Sequence, residues 1–129
     1  LQWRPDTDTL LLASASYLDT DSDDRLDRYS SAAPSNIAHV LVSRRFAGTW
    51  HASASVHLQG SYWASGLSDP QDGYTRVDTR LARQLAMGRG NAEVALTVQN
   101  LFDEGYTEYR RNVVAGRRAW LTFSYTFAP

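Results

Sequence analysis

The segment from Ala119 to Phe127 alternates almost without fault. Leu121, Phe123, Tyr125 and Phe127 fall on one side, while Thr122, Ser124 and Thr126 fall on the other. A strand of period two sends successive side chains to opposite faces. One face is oily and aromatic; the other carries small hydroxyls that suit water. In a soluble protein the oily face meets a core, whereas in a transmembrane barrel it meets lipid and the polar face lines the lumen. The rest of the chain bears on that choice.

The alternation recurs. Leu11, Ala13, Ala15 and Tyr17 oppose Leu12, Ser14 and Ser16, and Ala38, Val40 and Val42 oppose His39, Leu41 and Ser43. From Trp50 to Tyr62 the pattern is clearest, with Trp50, Ala52, Ala54, Val56, Leu58, Gly60 and Tyr62 against His51, Ser53, Ser55, His57, Gln59 and Ser61. Val77, Thr79, Leu81 and Leu85 oppose Arg76, Asp78, Arg80 and Gln84, with Arg83 interrupting the apolar side. Val94, Leu96 and Val98 oppose Glu93, Thr97 and Gln99. No stretch carries a helical period. The pattern predicts an all-β, antiparallel up-and-down meander of about six strands in one domain over residues 1–129, with Leu1 to Arg4 as the end of a seventh.

The connections alternate as well. Pro5–Asp8, Ala47–Thr49 and Met87–Gly90 are short, while Asp19–Asn36, Trp63–Gly73 and Asp103–Arg118 are long. In a meander, alternate connections share one end of the sheet, so short turns gather at one end and long loops at the other. Transmembrane barrels have this asymmetry, and it favours the barrel. Aromatics near strand ends (Tyr17, Trp50, Tyr62, Trp63, Tyr74, Trp120 and Phe127) fit interfacial girdles. The rival reading is a small soluble β-sandwich or open barrel that binds a ligand or a protein.

Composition narrows the function. A net charge of −1 gives no case for nucleic-acid binding. Cysteine is absent, so disulfides and thiolate metal sites are excluded. No apolar run approaches a membrane helix, a test that barrel strands escape because half their residues are polar. The chain begins at Leu1 rather than Met, the mark of a processed chain or a piece of a longer one.

The stretch Val94-Ala95-Leu96-Thr97-Val98-Gln99-Asn100-Leu101-Phe102-Asp103-Glu104-Gly105-Tyr106 resembles the penultimate strand of TonB-dependent outer-membrane receptors, where an Asn-Leu-Phe-Asp box precedes a Tyr. Ala115-Gly116-Arg117 and Ser124-Tyr125-Thr126-Phe127 are similar to that family's closing loop and terminal strand. Tyr17-Leu18-Asp19 and Gly73-Tyr74-Thr75-Arg76-Val77-Asp78 match further pieces in the family's order. The matching positions are Asn100, Leu101, Phe102, Asp103, Tyr106 and Phe127, although Ala128 and Pro129 follow the aromatic residue that normally ends the chain.

By this resemblance the chain is the C-terminal part of a barrel of about twenty-two strands, with the plug and most strands absent. The resemblance implies a bacterial outer-membrane location and a surround of outer-membrane lipid. It also implies assembly by the barrel-assembly machinery and coupling to the TonB system through the absent plug. The whole receptor would import a scarce nutrient or metal chelate of the ferric-siderophore or cobalamin class. The C-terminus would lie in the periplasm, which puts the long loops outside, in agreement with the sidedness read from loop length.

Candidate chemistry is sparse. His51 and His57 share a face but lie about 20 Å apart, too far for one ion, with His39 on a neighbouring strand. The acidic run Asp19, Asp21, Asp23, Asp24 and Asp27 lacks the glycine and terminal Glu of a calcium loop. No nucleophile elbow or complete phosphate loop occurs, so no enzyme, cofactor or metal site is expected. The candidate ligand residues are Tyr62, Trp63, Tyr106, Tyr109, Arg110 and Arg111, whose rings and guanidinium groups suit an anionic or aryl chelate. Arg76, Asp78, Arg80 and Glu93 are expected to pair on the polar face.

Overall fold

The computed structural model describes residues 1–19, 33–63, 70–107 and 114–127. In chain order the strands are β1 (Gln2–Trp3), β2 (Thr9–Tyr17), β3 (Asn36–Phe46), β4 (Trp50–Gln59), β5 (Tyr62–Trp63), β6 (Pro70–Gln71), β7 (Tyr74–Met87), β8 (Gly90–Gln99), β9 (Tyr106–Thr107), β10 (Val114–Ala115) and β11 (Arg118–Phe127). Seven of them form one antiparallel sheet in the order β1-β2-β3-β4-β7-β8-β11. β5 with β6, and β9 with β10, make two small ribbons within the longer connections. There is no helix among the described residues. The meander, the six long strands and the scrap of a seventh agree with the alternation in the sequence.

Every neighbour in the large sheet is also a neighbour in the chain order of its long strands. The connections from β1 to β2, β3 to β4 and β7 to β8 therefore share one end, and those from β2 to β3, β4 to β7 and β8 to β11 share the other. The ribbons β5–β6 and β9–β10 both lie at the long-connection end.

Register preserves one apolar face across the sheet. Leu11 stands opposite Val42, Val42 opposite Ala54, and Ala54 opposite Thr79, which in turn faces Val98. Val40, Val56 and Val77 make a parallel row, and Leu81, Leu96 and Leu121 another. A one-residue slip of any strand would send its apolar set to the polar side.

A stable water-soluble domain covers such a face with a second layer. Among the described residues none does: Leu81 is 42% exposed, Leu96 47% and Phe123 64%. The sheet does not close either, because β1 and β11 are its edges. Among the described residues the buried side chains are Tyr74, Ala82, Ala92, Ala95, Tyr106, Gln71 and Asn100, a set too small for an ordinary core.

One expectation is corrected. The alternation from Trp50 to Tyr62 reads as a single strand, but β4 stops at Gln59 and the chain leaves the sheet at Gly60. Gly60 donates its N–H to the Asn36 carbonyl at 2.9 Å, and a Cβ there would collide with the Asn36 side chain. At Gly73, where the chain returns, a Cβ would come within 2.7 Å of the Gln59 carbonyl oxygen. Two glycines allow the backbone crossing that diverts Tyr62 and Trp63 into their own ribbon.

Candidate functional site

The polar face gathers its side chains at three levels. Midway along the sheet, Arg80 donates from Nη2 to Glu93 Oε1 at 2.5 Å, the ion pair expected from adjacent strands. Nearer the short turns, Ser43 Oγ lies 2.7 Å from His51 Nε2. Ser53 stands opposite Ser43, and Arg45 and Ala82 stand opposite His51, so no carboxylate occupies the facing positions to orient the ring for nucleophilic work.

The denser cluster sits at the long-connection end. Arg76 donates from Nε to Asp78 Oδ2 at 3.1 Å and from Nη1 to the Tyr106 hydroxyl, also at 3.1 Å. The Tyr106 ring stacks on Tyr74 with centroids 4.1 Å apart. His57 leans on Tyr74 at 5.7 Å, and His39 follows at 6.3 Å. No group of three or more metal-ligating side chains forms among the described residues.

The Asn-Leu-Phe-Asp box is the mechanical part of this cluster. Asn100 and Asp103 both take positive φ, 56° and 58°, which Asn and Asp tolerate better than most residues. The Asn100 N–H donates to Asp78 Oδ1 at 2.9 Å, and that of Leu101 to the Val77 carbonyl at 2.7 Å. The buried Asn100 amide spans the turn, donating to the Glu104 carbonyl at 2.7 Å and accepting from the Glu104 N–H at 3.1 Å. Asp103 Oδ1 accepts from the Arg117 N–H at 2.6 Å, tying the start of the β8–β11 connection to its end.

The sequence-derived ligand candidates divide. Trp63 is half exposed on β5, and Tyr62 pairs across its ribbon with Gln71. Tyr106 is 7% exposed, so its ring is committed to Tyr74 and its hydroxyl to Arg76. Tyr109, Arg110 and Arg111 lie outside the described residues, as do Asp21, Asp23, Asp24 and Asp27 of the acidic run. Of the motif residues, Asn100 is buried, whereas Phe102 and Phe127 are exposed, Phe127 meeting Tyr125 edge-on at 4.7 Å.

Sequence reasoning missed Gln71. It is 1% exposed, and its Oε1 accepts from the Thr107 hydroxyl at 2.8 Å, linking the β5–β6 ribbon to the β9–β10 ribbon. Among the described residues its Nε2 has no hydrogen-bond partner. A lone Gln in a loop carries no pattern that would have announced this. No family model, curated protein or solved structure matches the chain.

Proposed function

We propose that this chain is the C-terminal barrel wall of a TonB-dependent outer-membrane receptor, with the apolar face of the sheet against hydrocarbon. The observation that carries the reading is a wide apolar face that none of the described residues covers, opposite a face that holds ion pairs and hydrogen bonds. Strands of 9 residues in β2, 11 in β3 and 10 in each of β4, β8 and β11 suit a bilayer crossing of about 9–11 residues per tilted strand. The sorting of short and long connections to opposite ends supports the same architecture.

In this reading the long connections face the exterior, and the box at Asn100–Asp103 anchors the base of an outer loop. Arg76, Asp78, Arg80 and Glu93 line the lumen beside the plug. The complete receptor captures a scarce nutrient or metal chelate outside, and energy relayed through TonB to the plug drives its entry. This segment contributes wall and loops, and performs no transport alone.

Uptake measurements on cells carrying the complete reading frame test the proposal. Accumulation of a ferric chelate or cobalamin that vanishes when TonB is deleted is the expected result. An upstream sequence without a plug-like domain, or uptake indifferent to TonB, would overturn the receptor assignment.

A further inference from the structure

The apolar face is not uniformly apolar. Arg44 follows Val40 and Val42 on the same side of β3, and Arg83 follows Leu81 on the same side of β7. Both lie toward the short-turn end of their strands. Register places Arg44 opposite Ala52 and Arg83 opposite Trp50. From strand spacing and rise, their Cα atoms are about 12 Å apart, within joint reach of one phosphate for two extended guanidinium arms.

Aromatic rings lie beside Arg83. The Arg83 guanidinium carbon lies 5.2 Å from the Trp50 ring centroid, and Phe46 stacks on Trp50 at 6.5 Å. Among the described residues, neither arginine forms an ion pair. Asp6 is near enough to Arg44 to feel its charge, but its carboxylate is engaged by the Asp8 N–H at 2.9 Å and the Thr9 hydroxyl at 3.0 Å. On a hydrocarbon-facing surface, arginine is tolerated near the interface and costly at the midplane. A negative headgroup at that level resolves the conflict.

Beside Arg44 runs a groove of about 390 Å³. Its floor is made by the small residues Ala52, Ala54 and Thr79, and its sides include Val42, Leu81 and Leu96. An apolar furrow lined at one point by Arg44, with Arg83 two strands across from it, fits an amphiphile with one negative end.

We infer that this face seats an anionic glycerophospholipid, its phosphate between Arg44 and Arg83 and an acyl chain along the groove over Ala52 and Ala54. The inference rests on the membrane orientation proposed above, and it adds a lipid site at the short-turn end of the wall. Charge complementarity selects the occupant: a zwitterionic lipid offers the same chain but no net charge. Attraction of basic residues to anionic lipid corresponds to about five-fold enrichment for each arginine, and salt screens it.

The test uses the full chain with Trp50 as its sole tryptophan (Trp3→Phe, Trp63→Phe, Trp120→Phe), refolded into phosphatidylcholine vesicles containing about one-third phosphatidylglycerol. Bromine is placed on the acyl chains of one lipid or the other at equal mole fraction. The expected result is stronger quenching of Trp50 by brominated phosphatidylglycerol, with at least five-fold preference that declines in high salt. Arg44→Gln with Arg83→Gln should abolish the preference, while Arg45→Gln, which removes one positive charge from the opposite face, should preserve it. Equal quenching by the two lipids overturns the site but leaves the membrane orientation standing. Absence of quenching by either overturns both. If the double variant does not refold, the lipid preference of the parent chain and its salt dependence still decide the matter.

Discussion

Tyr106 lies flat on Tyr74, with ring centroids 4.1 Å apart and planes tilted by 20°, and both rings are buried. One residue opens β7 and the other follows the turn that ends β8, so this contact holds the β8–β11 connection down on the sheet. The Arg76 side chain completes the arrangement by donating to the Tyr106 hydroxyl.

That contact predicts a graded response. Tyr106→Phe keeps the stack but leaves Arg76 without its phenolic acceptor, and should cost about 1 kcal/mol in unfolding free energy. Tyr106→Ala removes a buried ring as well and should cost about 3 kcal/mol or more. Urea unfolding of the refolded chain in micelles, followed by tryptophan emission, measures both. Equal losses from the two variants would show that the ring contact contributes nothing.

Asn100 is predicted to matter through its backbone and its amide together. Asn100→Gly retains the positive φ but loses both bonds to Glu104. Asn100→Ala loses those bonds and adds about 1 kcal/mol of left-handed strain. The alanine variant should therefore be the less stable of the two in the same unfolding measurement. The reverse order would contradict the assignment of this box as a strained turn.

The alternation of side chains made the sheet legible because one face is apolar from β2 to β11 and a slip of register would invert it. The ion pairing of Arg80 with Glu93 was legible too, since opposite charges stood on the same face of adjoining strands. Two features were hidden. The departure of β4 from the sheet at Gly60 depends on close approach to Asn36, a residue on another strand. The Gln71–Thr107 bridge joins two connections that only the folded sheet brings together. The function of Asn100 in the box was visible only as a resemblance until its φ and its bonds to Glu104 supplied a physical role.

Acid should weaken the first turn selectively. The Asp6 carboxyl sits below its ordinary 3.8 because the Asp8 N–H, and then the Thr9 hydroxyl, hydrogen-bond to the charged form. A carboxyl with a lower folded than unfolded pKa stabilises the fold fully above the unfolded value, and that contribution is lost as pH falls through the folded value. The difference in stability between the parent chain and Asp6→Asn should thus be constant near neutrality and shrink below about pH 4. A difference that grows on acidification would reverse the sign of the account.

The orientation of the apolar face is tested most directly on β11, where neighbouring residues point to opposite sides. In a background lacking the native tryptophans, Phe123→Trp and Thr122→Trp are refolded into vesicles whose acyl chains carry bromine near their middle. The account predicts strong quenching at position 123 and weak quenching at position 122, in a chain that associates when detergent and lipid are removed. Equal protection of both positions, in a chain that stays a monodisperse monomer in plain buffer, would contradict it.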